Sequence, residues 1–111
     1  MPQENTFDDL QRLYFMLDIN FNRLFAKCET DKQRDQLRAA YVNARDNFWE
    51  SRKRVFQEND PIVKSLIDDL KAAQKQTERF LKNLKDIVET LKVITAAVNI
   101  GSSLITLGSS L

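Results

Sequence analysis

Residues 91–111, LKVITAAVNIGSSLITLGSSL, contain a single charged side chain, Lys92, and residues 93–111 contain none. The whole chain, by contrast, is 30% charged. A segment with this many aliphatic residues gains free energy when it is covered, at roughly 1.5–3 kcal/mol for each fully buried Val, Leu or Ile. Whatever covers residues 93–111 therefore decides how the rest of the chain is arranged.

As a helix, this tail has two sides of different chemistry. The polar side carries only hydroxyl and amide groups: Thr95, Asn99, Ser102, Ser103, Thr106, Ser109 and Ser110. The apolar side is the predicted interaction or membrane surface, and its residues are Leu91, Ile94, Ala97, Val98, Gly101, Leu104, Ile105, Leu107, Gly108 and Leu111. An ordinary surface helix carries Lys and Glu on its polar side. The absence of such charges sets this segment apart.

Upstream of the tail, the sequence predicts a long third helix that begins after Glu58-Asn59-Asp60-Pro61. Asp60 is a good helix cap, and proline is favoured at the first helical position. Apolar residues then recur at steps of three and four from Val63 through Leu91 and into the tail. A helix over 61–92 that continues to Ile100 is roughly 60 Å long at the usual rise per residue.

Two shorter helices are predicted before it, over about 6–28 and 31–57. The first has a seam formed by Phe7, Leu10, Tyr14, Leu17, Phe21, Leu24 and Cys28, widened by Leu13, Met16 and Phe25. In the second, Thr30 is the expected cap and Leu37, Tyr41, Ala44, Phe48 and Val55 continue the same spacing. These helices span roughly 33 and 40 Å. The third helix is therefore expected to extend beyond both, with the uncharged residues on its free end.

The composition argues against several classes of function. The net charge of +1 is unlike that of nucleic-acid binders, and no histidine is present to act as general base or metal ligand. Cys28 is the only cysteine, so neither an intramolecular disulfide nor a cysteine-based zinc site is expected. The polar, acidic start lacks the features of a secretory signal. We expect cytoplasmic synthesis, with membrane association or signal-independent export left open.

Three further features have simple structural interpretations. The run Arg52-Lys53-Arg54, together with Arg45, predicts a solvated face, placed near Pro61 and far from the tail. Trp49 and the seven phenylalanines are most simply core residues. Cys28 lies on the seam of the first helix, where a buried, inert thiol is expected.

The sequence is compatible with four ways of burying the apolar side of the tail. It folds back at Gly101 onto Val93–Ile100, packs against copies of itself, docks into another protein, or enters a membrane. Residues 91–111 are long enough to span a bilayer, although their hydroxyl groups make insertion of a lone helix marginal.

The sequence thus predicts an all-α fold: an antiparallel three-helix bundle or elongated hairpin, with a charged part over 1–92 and a neutral tail over 93–111. The expected function is non-enzymatic self-association, as a homo-oligomer or coiled coil, or binding of a helical protein partner through the apolar tail. The alternative is a membrane-inserting, pore-forming or toxin-like component. We expect no cofactor, no metal, no small-molecule substrate and no nucleic acid.

Overall fold

The computed structural model describes residues 6–57 and 59–110, the last two by their backbone alone. It contains four helices: α1 (Thr6–Lys27), α2 (Asp31–Ser51), α3 (Pro61–Lys82) and α4 (Ile87–Leu107). Two two-residue strands, β1 (Arg54–Val55) and β2 (Ser109–Ser110), pair in antiparallel orientation. The all-α fold predicted from the sequence is confirmed.

Local signals set the starts of the helices much as expected. The Thr30 hydroxyl accepts a hydrogen bond from the Gln33 backbone N–H at 3.1 Å and caps α2. The Asp60 carboxylate accepts from the backbone N–H groups of Ile62 and Val63, and Pro61 occupies the first turn of α3. Each cap satisfies amide groups that have no partner within the helix.

The segment predicted as one long helix is two helices joined by a tight turn. The backbone of Asn83 leaves the helical region, with φ −143° and ψ 82°, and Asp86 caps α4 by accepting from the Glu89 N–H at 3.2 Å. Asp86 and Glu89 have the spacing of a capping box. Asparagine and aspartate favour such caps because their side chains compete for backbone hydrogen bonds. The chain therefore reverses at residues 83–86, and Gly101, where one of the four alternatives placed a reversal, lies inside α4.

This reversal places α4 back along its neighbours rather than beyond them. The principal-axis extent is 41 Å, well short of the roughly 60 Å expected for a continuous third helix. The most extensive helix packing is between α3 and α4, between α1 and α2, and between α2 and α4. The contacts of α1 with α3 and with α4 are sparse. The predicted three-helix bundle with a protruding end is thus a four-helix bundle with no protrusion among its described residues.

The second helix is shorter than the predicted 31–57. It ends at Ser51, whose hydroxyl is buried and donates to the Phe48 carbonyl at 2.6 Å. Residues 52–53 form a turn, and Arg54 and Val55 then pair with Ser110 and Ser109. Val55, predicted on the seam, is 43% exposed because it follows the turn. The strand pair joins the end of α2 to the end of α4.

A buried ion pair lies where α1 meets α3. The Asp9 side chain is completely buried, and the Lys71 Nζ is 3.3 Å from its Oδ2. In the same region the Gln74 side chain donates to the Asp9 carbonyl at 2.6 Å. Farther along, the Arg23 guanidinium donates to the Leu81 carbonyl. These contacts show that α1 and α3 run in the same direction, since residues 9 and 23 meet residues 71–74 and 81.

Candidate interaction surface

Most of the predicted tail surface is the core of this chain. Leu91, Ile94, Ala97, Val98, Gly101 and Leu104 are buried, and Ile105 and Gly108 are half-buried. Leu107 is exposed, and Leu111 lies outside the described residues. The structure therefore brings these residues together, but it covers nearly all of them with the other three helices.

The neutral polar side of α4 is explained in part by its contact with α2. The Asn47 amide donates to the Ser102 hydroxyl at 3.1 Å and to the Val98 carbonyl at 3.4 Å. The Gln36 amide donates to the Thr95 hydroxyl at 3.3 Å. Uncharged amide and hydroxyl groups pair at a half-buried interface without the desolvation cost of a charge.

Gly101 lies where the Leu10 side chain of α1 packs closely against α4. A Cβ at this position would lie 2.8 Å from the Leu10 Cδ2 and 3.3 Å from the Asn47 Nδ2. Such distances are shorter than ordinary van der Waals contact. The glycine thus has a packing reason within the monomer.

The basic run lies beside the C-terminal end of α4, contrary to the expectation that it is far from the tail. The Arg54 guanidinium donates to the Gly108 carbonyl at 3.0 Å and to the Glu50 carboxylate at 3.1 Å. These contacts follow from the reversal at residues 83–86, which brings the end of the chain to the end of α2. The hydrogen bond from Arg54 and the positive charge of Lys53 lower the pKa of Glu50 below its usual range.

The outward side of α1 carries a pair of exposed apolar side chains. Phe15 is 46% exposed and Ile19 is 81% exposed, the largest value among the large hydrophobic residues described. They are one helical turn apart, with the half-buried Met16 beside them. Together with Asp8, Gln11 and Arg12 they line a depression of about 510 Å³.

Two further depressions adjoin this one. The first is lined by α1 residues alone, whereas the other two lie between α1 and α3. One of about 300 Å³ is lined by Arg12, Lys71, Gln74, Lys75 and Glu78. Another of about 250 Å³ is lined by Met16, Asn20, Arg23, Glu78, Leu81 and Lys82. Arg12 and Met16 each border two of the three depressions, so the surface is continuous. We call it the α1–α3 groove.

Aromatic rings support one side of this surface. The Phe15 ring centroid is 5.9 Å from that of Phe48, which also lies 5.5 Å from Tyr14 and 5.5 Å from Trp49. Trp49 is 49% exposed and lies under the Arg52 guanidinium at 5.0 Å, so it is not the core residue that was expected. Rings in mutual contact lose little further freedom when a ligand packs on them.

The cysteine has the environment of a structural residue. Cys28 is 7% exposed, and its thiol lies 3.5 Å from the Leu24 carbonyl. Burial raises the pKa of the Cys28 thiol, against the smaller opposing effects of Arg34 and Arg38. A raised pKa keeps the thiol protonated and unreactive near neutral pH.

The α1–α3 groove was not predicted, although the sequence contains a signal for it. Phe15 and Ile19 lie outside the seam of α1 that runs through Leu10, Tyr14 and Leu17. Their spacing of four places both on a second face of the same helix. What the sequence lacks is the information that α3 leaves this face open.

No protein-family model, curated protein or solved structure matches the chain.

Proposed function

We propose that this chain is a non-enzymatic interaction protein that binds another polypeptide in the α1–α3 groove. The observation that supports the proposal is the exposure of Phe15 and Ile19, which line a depression on the outward side of α1 together with Met16. Apolar residues scattered singly over a surface need no explanation, but a contiguous set marks an interaction surface more often. Self-association and binding of a different protein are both forms of this function.

The energetic case comes from two side chains. Fully burying an exposed isoleucine or phenylalanine contributes about 1.5–3 kcal/mol each. Anchors of this kind near the centre of an interface supply a large share of binding free energy. Among the residues described on the apolar side of α4, Leu107 alone is exposed, and residues such as Ile94 and Leu104 are 0% exposed in the folded chain.

Site-specific photocrosslinking tests this proposal directly. A photoreactive amino acid replaces Ile19 in the full chain, and a matched variant carries it at Val42, which is 38% exposed on α2. In cells that make the protein, we expect a discrete adduct from position 19 and none of the same mass from position 42. An adduct of twice the chain mass identifies self-association. Equal crosslinking at both positions, or none at position 19, contradicts the proposal.

Membrane insertion by α4 is the second candidate function. One described helix, Ile87–Leu107, is long and apolar enough to cross a membrane, and 44% of its most apolar window is buried in the folded chain. The core helix of a water-soluble bundle has the same properties, so the support is weaker. Insertion also requires α4 to leave its contacts with α2 and α3.

Vesicle assays separate this candidate from the first. Flotation with liposomes of neutral and anionic composition measures binding, and release of an entrapped dye measures pore formation. Insertion predicts both signals with the full chain and weaker signals with Leu107→Asp, which adds a charge at an exposed position of α4 and leaves the core residues in place. If no lipid composition retains the full chain, the membrane candidate is wrong.

A further inference from the structure

The α1–α3 groove has the dimensions of a single helix. It extends along α1 from Asp8 to Arg23, which corresponds to about 22 Å at 1.5 Å per residue. A ligand helix of about 15 residues, or four turns, covers this length. The two walls are helices that run in the same direction and make few contacts with each other. A third helix packs across the outer sides of two such helices by the packing that neighbouring helices use.

The α1 side of the groove supplies anchoring positions for that helix. Phe15, Met16 and Ile19 present apolar surface there. A helix that binds in a groove uses apolar anchors at positions i, i+3 or i+4, and i+7. The ligand face toward α1 is therefore apolar and its flanks are polar.

The charged residues along the edges of the groove determine which charges the flanks of the ligand helix should have. Five cations border the groove, namely Arg12, Arg23, Lys71, Lys75 and Lys82. Three anions accompany them: Asp8, Glu78 and the buried Asp9, which pairs with Lys71. The whole chain is nearly balanced, with 17 basic and 16 acidic residues. The excess of positive charge is thus local to the groove.

This local charge disfavours a second copy of the chain as the occupant. In a symmetric dimer through this surface, the same patch of both copies meets. Arg12, Lys75 and Lys82 of one copy then approach the same cationic rim of the other. Like charges brought together at an interface oppose association and select against that partner.

We infer that the α1–α3 groove binds an amphipathic helix of a different protein, with aspartate and glutamate residues flanking its apolar stripe. This inference rests on the proposed function, because it names the occupant of the same surface. The apolar stripe contacts Phe15 and Ile19, and the acidic flanks lie along Lys75 and Lys82. Opposite charges at the rim mainly add selectivity and speed of association.

Two synthetic peptides test the inference with the full chain. Both are 15-residue helices with leucine at positions spaced by three and four, one with glutamate flanks and the other with lysine flanks. Fluorescence anisotropy of the labelled peptides gives each Kd at low salt. We expect the glutamate peptide to bind about tenfold or more tightly than the lysine peptide, and the ratio to fall as salt screens the rim charges.

Matched variants of the chain assign the effect to the groove. Lys75→Glu with Lys82→Glu should reduce the preference for the glutamate peptide about tenfold. Lys32→Glu with Lys64→Glu makes the same change in net charge outside the groove and should leave the ratio unchanged. Ile19→Asp should weaken both peptides by removing an anchor.

The possible results are distinguishable. Equal affinity for both peptides, lost in Ile19→Asp, overturns the acidic partner and leaves the proposed function in place. Binding unaffected by Ile19→Asp, or absence of binding to either peptide at millimolar concentration, overturns the inference. Concentration-dependent dimerisation of the chain that Ile19→Asp abolishes identifies the second copy as the occupant and also overturns it.

Discussion

Helices α1 and α4 differ in a way opposite to what their compositions predict: the helix with fewer charges is the more deeply buried on its apolar side. α4 has only Glu89 and Lys92 as charged residues, yet its apolar side is the core of the bundle. α1 carries charges along its whole length, yet Phe15 and Ile19 lie exposed on its surface. The more polar of the two helices therefore presents the more accessible apolar face.

The number of neighbours explains the difference. α4 packs extensively on both α2 and α3 and also receives Leu10 from α1 at Gly101. α1 packs extensively on α2 alone, and its contact with α3 is sparse. A helix with one full neighbour needs one apolar stripe, so apolar residues on a second face remain available for another partner.

An aspartate on the buried side of α4 should reduce the stability of the fold more than any other substitution considered. Ile94 is 0% exposed, so Ile94→Asp places a charge where no water can reach it. We expect a loss of about 5 kcal/mol in the free energy of unfolding, comparable to the stability of a small domain. Urea unfolding followed by circular dichroism measures it.

The control for that substitution is two residues away on the exposed side of α4. Ala96→Asp adds the same group at an exposed position and should cost less than about 1 kcal/mol, mainly through lower helix propensity. Similar, small losses in the two variants would mean that α4 does not lie in the core.

The sparse contact between α1 and α3 includes a buried ion pair, which provides the next test. Lys71→Met removes the ammonium group 3.3 Å from the fully buried Asp9 carboxylate. Breaking a buried pair from one side is strongly destabilising, and we expect about 3 kcal/mol because Lys71 keeps partial contact with solvent.

A double variant separates the charge from the packing. Asp9→Asn combined with Lys71→Met should lose less stability than Lys71→Met alone, because no buried charge remains. Thermal unfolding of the single and double variants measures this coupling. Strictly additive losses would show that the two side chains do not interact.

The turn between α3 and α4 places α4 in the core, and its cap can be weakened selectively. Asp86→Ala removes the side chain that accepts from the Glu89 N–H, and we expect a loss of about 1 kcal/mol. Asp69→Ala, an exposed aspartate inside α3, should change stability by less than about 0.5 kcal/mol. Chemical denaturation resolves the difference, and an equal response of both variants would argue against the cap.

The sequence predicted the helices well but not the number of them. The predicted seam continues from Phe80 through Leu84 and Ile87 into Leu91, so the apolar spacing alone shows no interruption at residues 83–86. The sequence signals for the interruption are Asn83, which ends α3, and the spacing of Asp86 and Glu89, which is that of a helix cap. Such local caps are weak signals beside a long periodic pattern, and the reversal then moves the apolar side of the tail from Ile94 to Leu104 into the core.

The groove could not be predicted for a different reason. The positions of Phe15 and Ile19 on a second face of α1 are evident from their spacing. Their exposure depends on how closely α3 approaches α1, which is a tertiary property. Similarly, the cationic rim is formed by residues 12 and 23 of one helix and residues 71–82 of another. No single stretch of the sequence contains that cluster.

The smallest expected effect is on α1, and it makes the binding experiments interpretable. Ile19 is 81% exposed, so Ile19→Ala should change the free energy of unfolding by less than about 0.5 kcal/mol. Leu17, two residues away, is 0% exposed, and Leu17→Ala should cost about 3 kcal/mol through loss of packing. Parallel urea unfolding of the two variants measures the contrast. A large loss in Ile19→Ala would show that this face of α1 is already covered in the folded chain, and the groove would then be closed to a partner.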